Sequence, residues 1–161
     1  MYLNNYQYLK KKEILLVFLL ILFSAAVRVP VIIILGDPNF ENEWLQLVNN
    51  LIDHKGLSMM TVEGLLLPNL WMPPLYAYYI YLFSFFNLEN QNFILLILSS
   101  QILLASISVG VFYKINKIFF SEKISLFGAL FFSLFPLHVY ACAQISSISL
   151  IIFLVILFYY L

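Results

Sequence analysis

Three carboxylates fall within seven positions in the stretch "GDPNFENEW": Asp37, Glu41 and Glu43. An aliphatic run, "VPVIIIL", ends immediately before them, and Trp44 follows at once. A carboxylate at such a boundary is partly desolvated, which favours its neutral form and makes the anion a stronger base. The chemistry it suits is proton abstraction from a nucleophile. The plainer reading is a solvated helix cap, because the helix dipole favours acids near its N-terminus. The three acids could also coordinate a divalent cation, but no glycine-turn ligand loop precedes them, so no metal ligands and no cofactor are assigned.

Upstream, Arg28 is a lone cation in an apolar run. A charge there is costly unless it meets an anion or reaches the headgroups, so a phosphate contact and simple snorkelling both stand open. His54 and Lys55 close a segment that reads as a helix, where a C-terminal cation is favourable in itself; a contact with phosphate or sugar is the functional alternative. His138, in "FPLHVY", reads by itself as a helix-end residue bonded to backbone. Tyr76, Tyr78, Tyr79 and Tyr81 read first as an aromatic belt, and Gln101, Ala105 and Ser108 as a small, polar packing stripe. The single cysteine, Cys142, excludes an internal disulfide and reads as a small buried residue. The sequence contains no Gly-rich phosphate loop, no Ser/His/Asp order and no metal-ligand spacing.

The elements that must hold these residues follow from composition. Hydrophobic residues make up 63% of the chain and charged ones 10%, with a formal net charge of zero, against about 25% charged in soluble domains. The chain therefore reads as an all-α integral membrane protein, a single membrane domain over 1–161, with no basic surface for nucleic acid. A bilayer core of about 30 Å takes roughly 20 helical residues. Four runs meet or approach this: 14–35, 93–113, 124–143 and 146–161. The last would reach only about 24 Å and stops without a polar flank, so we expect the chain to be the N-terminal part of something longer.

A shorter run, "PPLYAYYIYLFSFF" over 73–86, suits a juxtamembrane or re-entrant helix. Lys10, Lys11 and Lys12 precede the first run, and Lys114, Lys117 and Lys123 lie between the second and third. The positive-inside rule puts both clusters, and the N-terminus, in the cytoplasm if the 73–86 run does not cross. Residues 36–92 then form one extracytoplasmic loop. "ILLVFLLILFSAA" after three lysines also fits a signal peptide, but apolar character resumes after Arg28 and fits an anchor better. Inside the loop, Trp44, Leu47, Val48 and Leu51 have the spacing of an amphipathic helix lying on the outer membrane face. Gln46, Asn49, Asn50 and Asp53 would face water, and Gly56 would stop the helix. At 100° per residue Glu41 falls about 60° from the centre of the apolar stripe, held at the boundary, while Glu43 points to the flank.

The order of these features resembles the GT-C-type membrane glycosyltransferases, the superfamily of protein O-mannosyltransferases and aminoarabinose transferases. There a first helix ends near an arginine, as at Arg28. An external loop then opens with an acidic pair before an aromatic, an amphipathic helix follows, and next a Pro-Pro-aromatic helix like "WMPPLYAYYIYLF". A Pro-x-His-x-Tyr-like helix end resembles "FPLHVY". The likeness runs from Ile14 to Leu161 and rests on order, not on one motif. Two departures stand out: the usual Asp-Glu pair reads Phe40-Glu41, so the base maps to Glu41 or Glu43, and the acid expected before the fourth run is replaced in "AQISSISL" by Gln144, Ser146 and Ser147.

The resemblance implies transfer of a sugar from a polyprenyl-phosphate donor to an extracytoplasmic glycan, lipid or protein acceptor, within the bacterial inner membrane and as part of cell-envelope glycosylation. It implies a loop carboxylate as base, with Asp37 beside it, and Arg28 on the donor phosphate. His54, Lys55, Tyr76 and His138 would lie near substrate. Such a fragment is expected to be inactive alone, because the helices enclosing the donor lipid would lie beyond Leu161. The competing reading is a non-enzymatic membrane subunit or transporter fragment whose acids serve packing or ion contact.

Overall fold

The first apolar run folds as one long helix, α1, spanning Tyr2–Leu35. The structure, a computed structural model, describes residues 2–37, 43–61 and 63–161, with side chains along α1 from Lys11 onward. Its other elements are α2 (Glu43–Ile52), β1 (Ser58–Met60), β2 (Leu66–Pro68), α3 (Pro74–Ser84), α4 (Asn90–Phe119), α5 (Glu122–Leu134), α6 (Pro136–Ala141) and α7 (Ile148–Tyr160). The chain is mostly helical, at 74%. Among the described residues, two helices are long and apolar enough to cross a membrane, Lys11–Leu35 within α1 and Asn90–Phe119.

Contacts at the two ends set the helix directions. Lys117 of α4 pairs with Glu13 of α1 at 3.2 Å, and Lys12 and Lys123 line one cleft. The Lys12–Glu13 turn of α1, the end of α4 and the start of α5 therefore stand together, so that Lys12 lies at the same end of the bundle as Lys117 and Lys123. At the other end the Asp37 amide donates to the Ala143 carbonyl at 3.0 Å, and Gln144 Nε2 donates to the Leu35 carbonyl at 3.0 Å. From there α7 returns until the Tyr160 ring lies 5.7 Å from Lys114 Nζ. The α4 helix is central, packed by α1, α5 and α7. Close approach of α1 and α4 needs Gly110, where a Cβ would meet Val17 and Ile21 side chains at 3.1 Å.

Residues 124–143 are not one helix. Phe135 is extended (φ −62°, ψ 118°), and Pro136 starts α6. Proline disfavours the helical conformation in the residue before it and has no N–H to continue the ladder. The last element, α7, has 13 residues, about 20 Å of helix, short of a bilayer core.

The 36–92 region is also more folded than a purely helical reading allows. β1 and β2 form an antiparallel ribbon with Met59 opposite Leu67, turned by Gly64 at φ 79°. The expected amphipathic face of α2 exists, with Trp44, Leu47, Val48 and Leu51 all buried. It is not presented to lipid, however, but packs in one cluster with Tyr76, Ala77 and Ile80 of α3 and Ile94 and Ile97 of α4. Asn50, expected to face water, is buried because its amide donates to the Ser58 carbonyl at 2.7 Å and so needs no solvent. His54, not Gly56, makes the helix stop: it takes the left-handed conformation (φ 61°), while His54 N donates to Leu51 O and Lys55 N to Asn50 O, a Schellman arrangement.

Candidate functional site

Packing of the α6–α7 connection against the end of α1 builds the acid-bearing end. Gly36 continues the hydrogen bonding of α1 through its N–H to Ile32 O at 2.8 Å, and a Cβ there would collide with that same carbonyl oxygen. Asp37 follows, half-buried, its backbone fastened to Ala143. It stands with Gln91 at the mouth of a cleft of about 330 Å³ whose walls are Ile32, Ile33, Ile94, Leu95 and Leu98. An apolar trough with polar groups at one end matches an amphiphile. Glu41 lies outside the described residues. Glu43 is the first residue of α2 and exposed, the place where a carboxylate gains from the helix dipole. Among the described residues no group of three or more His, Cys, Asp or Glu is placed to hold a metal ion.

Arg28 sits deeper and is 1% exposed. Its Nη1 donates to Ser24 O (3.0 Å), Ser24 Oγ (2.6 Å) and, across to α5, Ser133 O (3.2 Å). Among the described residues no acid pairs with it. The free space it reaches is a cavity of about 10 Å³ lined also by His138 and Ser149, room for about one water and none for a phosphate. The His138 ring stands edge-on to Phe132 (4.8 Å) and Phe135 (5.1 Å), and its carbonyl accepts from Cys142 Sγ at 3.2 Å. The structure thus brings Arg28 and His138 together, and separately Asp37 and Gln144. His54 and Lys55 belong to neither pair; both are exposed, and Lys55 bonds its neighbour Asp53 at 2.8 Å, an exposed pair worth at most about 1 kcal/mol.

Tyr76 is not part of a belt, since it is buried against Trp44 with ring centroids 4.7 Å apart. Its hydroxyl donates to Gln101 Oε1 at 2.7 Å, and burial pushes the phenol above its ordinary value, keeping that proton in place. Gln101 Nε2 donates to the Gln144 carbonyl at 2.9 Å, and the Ser146 N–H approaches Gln101 Oε1 at 3.4 Å. Of the tyrosines, Tyr78 is exposed, while Tyr79 is partly buried and donates to Ser100 Oγ. Gln101, read in the sequence as part of a packing stripe, is therefore the polar node joining α3, α4 and the head of α7. Its signal was present: an amide within a bilayer-length apolar helix needs partners.

No family model, no curated protein and no solved structure matches this chain.

Proposed function

We propose that the chain contributes the N-terminal, acid-bearing part of a GT-C-type membrane glycosyltransferase, which takes sugar from a polyprenyl-phosphate to an extracytoplasmic acceptor. The observation that carries the reading is the apolar cleft between α1 and α4, with Asp37 and Gln91 at its mouth and the acidic stretch leading from it. A lipid-linked sugar is an amphiphile whose phosphate lies where the tail ends, so a base for its acceptor belongs at that depth. Glu41 or Glu43 is the proposed base and Asp37 its neighbour. In this reading α5–α6 and α7 complete four membrane segments, with the lysine-rich end in the cytoplasm.

Conservative replacement tests the base. In the full-length transferase of this reading, Glu41→Gln keeps size and removes the carboxylate, so transfer from a radiolabelled polyprenyl-phosphate sugar should fall roughly 10²-fold. Glu43→Gln tests the other mapping. Unchanged transfer in both variants and in their combination would reject an acid-base role for this stretch.

Arg28 favours the competing, non-enzymatic reading. A guanidinium tied to Ser24 and Ser133 around a water-sized cavity is built as a helix clasp; to meet a donor phosphate it would have to leave Ser133.

A further inference from the structure

We propose that the cleft at the lysine-rich end of the bundle seats an anionic phospholipid, its phosphate on Lys114 and an acyl chain along Val17 and Ile118. This cleft, about 420 Å³, is lined by Glu13, Ile14, Val17, Lys114, Ile118 and Tyr160. Lys114, in the cleft wall, and Lys117, beside it, are unequally engaged. Lys117 is taken by Glu13 at 3.2 Å, whereas Lys114, among the described residues, has no acidic partner and only the face of Tyr160 at 5.7 Å. That contact leaves the ammonium protons free to donate to an anion.

Charge complementarity names the headgroup. Lys11, Lys12 and Lys123 are exposed around the same end, and the acids there are Glu13, already paired, and Glu122. The walls name the rest of the molecule. Ile14 and Ile118 are 60% and 69% exposed, so the cleft opens onto the apolar flanks of the two helices long enough to cross a membrane. A soluble anion would leave those walls unused; a phosphodiester with fatty chains satisfies both surfaces at once. The proposal rests on α1 and α4 lying in a bilayer and is independent of any transferase activity.

The test is native mass spectrometry of the delipidated full chain with added phosphatidylglycerol or phosphatidylcholine, read as retained lipid per protein. Phosphatidylglycerol should be retained over phosphatidylcholine, and Lys114→Gln should weaken it about fivefold. Lys55→Gln, at the far end of α2, should change nothing. Ile118→Trp, at an exposed wall position, should displace both lipids without disturbing the fold, which covers the case where the Lys114 variant is poorly made. Equal retention of the two lipids would overturn the proposal, as would equal effects of the Lys114 and Lys55 variants. Displacement of the bound lipid by millimolar inorganic phosphate would do the same, because it would assign a free anion instead.

Discussion

Both ends of the Gln101 amide are occupied, by Tyr76 on one side and the Gln144 carbonyl on the other. An apolar helix surface offers no water to replace a lost partner, and loss of the Tyr76 hydroxyl leaves Gln101 Oε1 only the long 3.4 Å approach of the Ser146 N–H, at a cost of about 1–3 kcal/mol. Tyr76→Phe removes only the hydroxyl and should destabilise the detergent-solubilised protein by roughly that amount in a denaturant titration. A change within error would show that Gln101 finds another donor. The types of the chemistry-bearing residues were legible, and Arg28 was correctly singled out as a cation in an apolar setting. Which partner each would take was not. Arg28's partners are a serine four residues back and a carbonyl 105 residues away, and the latter proximity leaves no trace in local spacing.

At the scale of elements, α2 is the clearest case of sequence legibility. The Trp44, Leu47, Val48, Leu51 spacing gave the buried face correctly, because helical periodicity is a local property. What covers that face was not local: α3 and the start of α4 take the place assigned to lipid. Leu47, with no exposed surface, should therefore behave as a core residue. Leu47→Ala should cost about 2–5 kcal/mol and open the 43–84 region to protease, whereas a helix resting on a membrane would tolerate it. Protease resistance equal to wild type would return α2 to the surface. The break at Pro136 was legible in principle, since a proline inside an apolar run ends a helix at the residue before it. Apolar run length, the stronger signal, concealed it. The β1–β2 ribbon was not legible, because three-residue strands carry too little alternation to be told from loop.

For the whole molecule, the distribution of lysines was the most informative sequence feature, and the structure gathers Lys12, Lys117 and Lys123 at one end through Glu13–Lys117 and the Lys12–Lys123 cleft. If that end is cytoplasmic, cysteines at positions 10 and 117 should label from inside and those at 63 and 89 from outside, in a Cys142→Ala background. Position 89 labelling only from inside would mean that α3 crosses. If, as proposed, the acid-bearing end receives a lipid-linked sugar, the detergent-solubilised protein has measurable affinity for a polyprenyl-phosphate sugar. Binding should be saturable, and Leu95→Trp, filling the cleft beside Asp37 and Gln91, should weaken it at least tenfold while melting temperature holds. Binding no tighter than to the unphosphorylated polyprenol, or unaffected by the filled cleft, would contradict the proposal.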